Sequence, residues 1–484
     1  MNLIDLAFTP ALKQAQLIRT KEISPIELTD LYLERIESLD PMLGSYFTVT
    51  GDRALADAKS KTDRLGQTDD PDSLPPFFGV PISIKDLDPL EGVRCTYGSR
   101  ALLDYVTPYD SALIAKLKQA GFIILGKTAT PEFGSLPYTE ADGFPPARNP
   151  WNIDYTPGGS SGGAAASVAA GLCAIAQGSD GGGSIRGPAS CCGLVGLKPA
   201  RGRISSAPVG YRQGSIATGG PLARTVADAA AFLDVTAGYV TGDPYWLPDP
   251  NPSFLDIAQQ HSHGLNSQSL RIAYSIGLSP LGDADSVCQS AVLEIAKRFE
   301  NLGHHVVPDR LDCDGLIEPF SIVFRSGVAA SELPPEALNP MNRWFIEQAV
   351  SSGVYLKALW GMQAIARRIV AFFDTYDALL LPIYLHSPIR VGEWADLSPS
   401  DTFEKIIHWV APCPPFNATG QPAIAIPAGF TPEGVPIGVQ IVGRPAAEAT
   451  LIALAAQLEA AYPWHHHHRP AIAMEQSTLD KATD

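Results

Sequence analysis

GGSSGG at residues 158–163 and DGGGSIR at residues 180–186 are the two stretches that decide how this chain is interpreted. Glycines surround serines in this way where the backbone adopts unusual dihedral angles or approaches a ligand closely. A glycine run that opens a helix also exposes consecutive backbone N–H groups. Such groups can stabilise the oxyanion of a tetrahedral acyl-transfer intermediate, so the pattern indicates a site for nucleophilic chemistry.

Two other interpretations of the glycine runs stay open. A flexible Gly/Ser linker would lack the apolar segments on both sides and the Ile-Arg-Gly-Pro sequence that follows Ser184. A phosphate-binding loop would need the spacing GxxxxGK[ST] or GxGxxG, which neither glycine run has. We rank both below a catalytic site.

Segments around the glycine runs alternate between strand and helix patterns. Residues 78–84 alternate like a strand and lead directly into Lys85. Residues 163–170 suit a helix, and residues 172–176 suit a buried strand. Alternation of this kind predicts an α/β architecture, which we expect to form one large domain.

Local signals also predict element boundaries near the amino terminus. Ser24-Pro25-Ile26-Glu27 combines an N-cap serine, a proline at the first helical position and a glutamate two residues later. We expect the helix that begins there to end at Asp40-Pro41. The polar run at residues 61–76 is expected to be a surface loop.

The composition indicates which classes of binding partner and which cellular compartment suit this chain. With 484 residues, 45% of them hydrophobic and 18% charged, the chain can bury a large core. A net charge of −16 argues against nucleic acid or an anionic membrane as a partner. The sequence has no long apolar stretch and no signal-peptide pattern, so we expect no membrane insertion and a cytoplasmic protein. Seven cysteines without a CxxC pair predict reduced thiols.

Further motifs resemble those of the amidase signature family, in that family's order and from about residue 24 to about residue 470. Besides both glycine runs they are GVPISIKD (79–86), LGKTATPEF (125–133), RNPWN (148–152), GLKPARGRIS (196–205), PFNATGQPAIAIP (415–427) and GVPIGVQIVG (434–443). The resemblance implies the amidase-signature fold, a large mixed β-sheet core covered by helices on both faces. It also implies a single domain over residues 1–484, with a signature core at about 75–235 and a C-terminal half at about 268–470 that completes the sheet and the substrate pocket.

The same resemblance implies a catalytic triad of Lys85, Ser160 and Ser184. Ser184 would be the nucleophile that forms an acyl-enzyme, and a serine needs a base within hydrogen-bond reach to do so. Ser160 would relay its proton to Lys85, which must be neutral and so needs a pKa lowered by burial. In the family the middle serine follows a cis peptide bond, here Gly159–Ser160. The expected function is hydrolysis of a carboxamide C–N bond to a carboxylic acid and ammonia or an amine.

Roles for the neighbouring residues follow from the resemblance too. The oxyanion hole is implied at the backbone N–H groups of Gly181, Gly182, Gly183 and Ser184. Arg186 either orients the substrate or braces the loop through an ion pair, and we favour bracing. We expect Asp180 to hold the glycine turn and Ser161 to cap the following helix.

The amino-acid sequences of these motifs most resemble those of nylon-oligomer (aminohexanoate cyclic-dimer) hydrolases and aryl acylamidases. In the nylon-oligomer enzymes the residue two after PE(M/F) lines the substrate pocket, which implies a substrate contact at Ser135. The variable stretches 320–331 and 344–355 and Trp360 mix aromatic and aliphatic residues. They suit either an apolar acyl or aryl pocket or plain core. The family usually has a threonine at Ser179.

Two alternative functions are weighed against the hydrolase. The A subunit of a glutamyl-tRNA(Gln) amidotransferase keeps an aspartate seven residues before the asparagine equivalent to Asn417, and this chain has Val410 there. A catalytically silent scaffold would have no reason to keep a buried lysine beside two serines. The histidines at residues 465–468 are a poor metal-ligand set, so we expect neither metal nor cofactor. A monomer or a homodimer is compatible with the sequence.

Overall fold

The computed structural model describes residues 2–211, 213–262, 268–464 and 469–474 of the chain. Eleven of its strands form one mixed sheet, and two short strands, β8 and β9 below, pair with each other. The strands are β1 Tyr46–Val49, β2 Pro81–Lys85, β3 Ile123–Thr128, β4 Ile175–Asp180, β5 Val195–Lys198, β6 Thr218–Ala223, β7 Arg271–Tyr274, β8 Gly277–Leu278, β9 Gly282–Asp283, β10 His305–Pro308, β11 Ala378–Pro382, β12 Ala423–Phe430 and β13 Pro436–Gly443.

Sixteen α-helices lie in the same described ranges and pack around the sheet. They are α1 Leu3–Phe8, α2 Ala11–Arg19, α3 Pro25–Leu43, α4 Gly51–Gln67, α5 Ala112–Gln119, α6 Gly162–Ala169, α7 Arg186–Cys192, α8 Val226–Thr236, α9 Phe254–Ser262, α10 Ser286–Asn301, α11 Ile317–Ala329, α12 Pro340–Glu347, α13 Ser352–Ala371, α14 Pro399–Val410, α15 Pro415–Ala418 and α16 Glu448–Ala461.

The strand order of the large sheet is β1-β3-β2-β4-β6-β5-β12-β13-β11-β7-β10. β2 runs parallel to both of its neighbours, β3 and β4, and β7 runs parallel to β10 and β11. The remaining pairs are antiparallel. The predicted α/β fold with a large mixed sheet is therefore confirmed.

The pairing of β2 with β4 positions the chemistry. Ile84 lies opposite Gln177 across the parallel pair, and the Gln177 side-chain oxygen accepts a 3.1 Å hydrogen bond from the backbone N–H of Lys85. Because the strands are parallel, both end at the same edge of the sheet. β2 ends at Lys85 and β4 at Asp180, so the lysine lies beside the start of the second glycine run.

Two predicted boundaries near the amino terminus are wrong. Ser24 and Glu27 form the predicted capping box, but α3 continues through Pro41 and ends before Gly44. Gly44 adopts the left-handed conformation (φ 59°) that terminates a helix, and its N–H donates to the Asp40 carbonyl. The expected loop at residues 61–76 also begins too early, because α4 extends to Gln67 as a solvent-facing helix.

Two further features bear on the compartment and on membranes. All seven cysteines are buried and free, as expected for reduced thiols. Among the described helices, none combines the length and the apolar character needed to cross a bilayer.

Candidate active site

Lys85 is completely buried at the end of β2. Its Nζ donates to Ser160 Oγ at 2.7 Å, to Ser179 Oγ at 3.1 Å and to the Ser179 carbonyl at 3.4 Å. Burial lowers the pKa of Lys85 from 10.5 to about 7, although the nearby charges of Asp88 and Asp180 oppose the shift. A sizeable fraction of the amine is therefore neutral at physiological pH.

The first glycine run is a buried turn, not a linker. The peptide bond Gly159–Ser160 is cis, as the resemblance implies, and every residue from 156 to 170 is buried. A Cβ on Gly159 would lie 2.5 Å from the Tyr138 backbone nitrogen, and one on Gly163 would lie 2.4 Å from the Ala129 nitrogen. Glycine is needed here because other backbone segments approach this closely.

Ser161 occupies the N-cap position of α6, but the expected side-chain cap is absent. Its hydroxyl instead donates to the Ser179 carbonyl at 3.2 Å and accepts from the Ser179 N–H at 3.3 Å. This exchange ties the first glycine run to the end of β4. Ser161 therefore supports the partner of Lys85 instead of capping the helix.

Asp180 organises the second glycine run, as expected. Its Oδ1 accepts from the Gly183 N–H at 2.8 Å, and its Oδ2 accepts from the Ile185 N–H at 3.1 Å. Burial alone would raise the pKa of Asp180, but the charge and hydrogen bonds of Arg186, with help from Lys198 and Asn417, hold that pKa well below its usual value. The carboxylate stays ionised and fixes the turn.

The hydrogen bond from Gly183 corrects the predicted oxyanion hole. An amide that already donates to a carboxylate cannot also bind an oxyanion, so Gly183 is not a free donor. Within the described part of the chain, the amides of Gly181, Gly182 and Ser184 donate to no protein acceptor. Gly183 is needed for another reason, because its φ is +124° and a Cβ there would lie 2.8 Å from Cys413 Cβ.

Ser184 lies next to the cis turn. Its carbonyl accepts a 3.2 Å hydrogen bond from the Ser161 N–H, which holds the two serine-containing segments together. Both Ser184 and Ser160 are described, and no hydrogen bond joins their hydroxyl groups. The structure thus joins Lys85 directly to Ser160 and places Ser184 on the adjoining segment, where contacts often tighten only around substrate.

Arg186 cannot contact substrate, which corrects the substrate-binding assignment and agrees with the bracing role. The side chain is fully buried, and its guanidinium pairs with Asp180 at 2.9 Å. Its other donors bond to Cys413, Gln440 and Asn417. All of its N–H groups are occupied within the protein.

An apolar cleft opens in front of Gly182, Gly183 and Ser184, and we call it the Ser184 cleft. Its walls come from residues 134–137, residues 278–281, α11 and α14, together with Phe345 and Tyr384. Ser135 lines this cleft, but its hydroxyl donates to the Glu132 carbonyl at 2.9 Å.

The variable stretches divide between pocket and surface. Phe320, Phe324 and Phe345 line the Ser184 cleft, whereas Trp360 is 63% exposed and lies elsewhere. Val410 also lines the cleft. The histidines at residues 465–468 lie outside the described residues.

The phosphate-loop spacing GxxxxGKT does occur outside the glycine runs, as GFIILGKT at residues 121–128. Six of these residues, 123–128, form β3 itself instead of a loop before a helix. Lys127 is fully buried, donates to the Asp88 carbonyl at 2.6 Å and lies 3.3 Å from a carboxylate oxygen of Asp86. A lysine held in this way cannot bind a phosphate, so the match has no such function.

Ser179 is the main residue of the site that sequence reasoning missed. The resemblance marks it only as a position where the family usually has threonine, yet both its hydroxyl and its carbonyl accept hydrogen bonds from Lys85 Nζ. A usable signal was its position just before Asp180, on the strand that pairs with the lysine strand.

Known proteins are similar to this chain over almost its whole length. The sequence profile of the family described as Amidase matches residues 27–452. A protein of Synechocystis sp. (strain ATCC 27184 / PCC 6803 / Kazusa) named "Putative amidase" is 50% identical over 95% of this chain and 89% of its own length. The solved structure of 6-aminohexanoate cyclic dimer hydrolase is 30% identical with a TM-score of 0.89, covering 96% of this chain and 99% of that one. A bacterial aryl acylamidase of the amidase signature enzymes is 27% identical with a TM-score of 0.84, covering 94% and 97%. Together with the shared fold, these matches show that the chain belongs to the amidase signature family of amide-hydrolysing enzymes.

Proposed function

We propose that the protein hydrolyses a carboxamide through an acyl-enzyme on Ser184, with Ser160 as the proton relay and Lys85 as the base. The observation that carries this proposal is the buried Lys85 Nζ, bonded to Ser160 Oγ at 2.7 Å and with a pKa of about 7. A surface lysine would be protonated at neutral pH and could not accept a proton. Burial therefore brings the pKa of Lys85 close to neutral pH, where a general base is most effective.

The steps follow from the donors and acceptors of the site. Neutral Lys85 directs two N–H groups at Ser179 and accepts the Ser160 proton, while Ser160 takes the proton of Ser184. Ser184 Oγ then bonds to the amide carbon, and the negative oxygen is stabilised by the free N–H groups beside it.

The same relay serves the second half of the reaction. Lys85 returns the proton through Ser160 to the nitrogen, the C–N bond breaks, and ammonia or an amine departs. Water then attacks the Ser184 ester and delivers a proton to the same relay. The relay passes that proton to Ser184 Oγ as the ester C–O bond breaks, which releases the carboxylic acid and restores the free serine.

The substrate classes to test come from the structural neighbours and from the cleft. The neighbours' names point to a cyclic amide and to aryl amides. The glutamyl-tRNA(Gln) amidotransferase alternative loses support at Val410, because an apolar side chain there gives the charged groups of glutamine no partner.

Labelling with a fluorophosphonate, together with amine release from a panel of aryl, short-chain, long-chain and cyclic amides in the presence of EDTA, tests the proposal. We expect the wild type to be labelled and to release amine, and Ser184→Ala to do neither. Labelling of Ser184→Ala at the wild-type rate would remove Ser184 as the nucleophile. A wild type that is neither labelled nor active would favour the silent scaffold.

A further inference from the structure

The Ser184 cleft is lined by uncharged and mostly apolar side chains. None of the described residues that line it has a charged side chain, although the chain as a whole is 18% charged. Its polar lining side chains are mainly hydroxyl groups, and that of Ser135 already bonds to the Glu132 carbonyl. A charged group bound in this cleft would lose its water without gaining a counter-charge.

One face of α14 forms a continuous apolar wall of the cleft. Phe403, Ile406, Ile407 and Val410 follow one another at helical spacing, and all of them line the cleft. The polar residues Glu404, Lys405 and His408 fall between them on the other face and do not line it. The charges of this helix are thus kept away from the substrate.

Phe320 brings the apolar lining up to the reaction centre. Its ring carbon Cζ lies 3.9 Å from the point where a Cβ of Gly182 would be. Gly182 is one of the free amide donors expected to hold the carbonyl oxygen. The Phe320 ring therefore lies beside one of the amides proposed to hold the carbonyl oxygen.

We infer that the site selects amides whose acyl group is uncharged and apolar, and that it rejects acyl groups of the same length that end in an ammonium or a carboxylate. This inference rests on the proposed function and names its substrate class. The acyl group is the part assigned to the cleft because it stays bound to Ser184 while the amine leaves and water takes its place. Each methylene buried in the cleft strengthens binding, and each buried charge weakens it.

Primary amides isolate the acyl group because their leaving group is always ammonia. The purified enzyme would be assayed for ammonia release from acetamide, hexanamide, 6-aminohexanamide and adipic acid monoamide, the last three having the same chain length. We expect kcat/KM for hexanamide to exceed each of the others by about 100-fold. Acetamide lacks several buried methylenes, and the other two amides bury a charge that has no counter-charge in the cleft. Aniline release from acetanilide, with its KM, tests the amine side.

Val410 allows a matched pair of variants because it is only half-buried in the cleft wall. Val410→Asp adds a charge, and Val410→Asn adds a polar group of the same shape. The ratio of hexanamide to 6-aminohexanamide turnover should fall at least about tenfold in Val410→Asp relative to Val410→Asn, because the ammonium then has a counter-charge.

The outcomes separate this inference from the proposed function. Equal turnover of the charged and uncharged six-carbon amides would overturn the inference while leaving the hydrolase intact. So would a fall in KM from acetamide to acetanilide as large as the fall from acetamide to hexanamide. No ammonia from any amide, with no fluorophosphonate labelling, would instead overturn the proposed function itself.

Discussion

Lowering the pH below about 7 should protonate Lys85 and slow the acylation of Ser184, because the relay needs a neutral amine. The lysine pKa is lowered, so the active neutral form dominates above about 7 and is lost as the pH falls. With one titrating group, the acylation rate should be about tenfold below its plateau at pH 6 and about 100-fold below it at pH 5. Below pH 7, a plot of the logarithm of the acylation rate against pH should have a slope of one.

Fluorophosphonate labelling measures this acylation without knowledge of the natural substrate. The pseudo-first-order rate would be followed from pH 5 to pH 9 for the wild type and for Asp88→Asn. The negative charge of Asp88 raises the Lys85 pKa, so its neutralisation should shift the acidic side of the pH profile to lower pH. Labelling at pH 6 should then be faster relative to the plateau rate.

Asp374→Asn is the matched control, since it removes one negative charge from an exposed position. Its pH profile should coincide with that of the wild type. A flat wild-type profile, or a limb near pH 10 as for an ordinary lysine, would refute the assignment of Lys85 as a base whose pKa is set by burial.

The remaining predictions concern the relay and its supports. Ser160→Ala should reduce amide turnover by at least about 1,000-fold, while Ser161→Ala should retain most of it, which a kcat/KM comparison of the two would show. Ser179→Ala should lower kcat about 10- to 100-fold with little change in KM, because Lys85 loses an orienting partner. Arg186→Met should lower the free energy of unfolding in urea by about 3–5 kcal/mol, because it leaves a buried carboxylate unpaired. Arg100→Met, which breaks an exposed ion pair, should cost less than about 1 kcal/mol.

The features that sequence predicted well are those set by neighbouring residues. The capping box at Ser24 forms because its two partners lie three residues apart. The predicted surface loop is wrong at residues 61–67, although the contact that extends the helix there is also local. Lys61 pairs with Asp57 one helical turn earlier, at 2.5 Å, so a polar stretch continued α4 where composition alone suggested a loop.

The features that sequence missed depend on residues far apart in the chain. For Arg186 the sequence leaves two roles open, substrate contact and bracing, because the acceptors of its hydrogen bonds on Asn417 and Gln440 lie more than 200 residues away. The predicted strand at residues 172–176 is shifted because β4 runs through Gly178 and Ser179 to Asp180. Glycine and polar residues are poor strand formers, and pairing with β6, which continues to Asp180 after the pairing with β2 has ended at Gln177, keeps them extended.

Asp180 and Arg186 together explain how a glycine turn and a neutral lysine can coexist. Asp180 must be ionised to hold the Gly183 and Ile185 amides, but its negative charge also raises the pKa of Lys85. The buried guanidinium of Arg186 pairs with that carboxylate, so the two charges largely offset one another. Burial then outweighs the remaining attraction, and the Lys85 pKa falls to about 7. The arginine of the signature thus acts on the reaction through the carboxylate beside it, without touching the substrate.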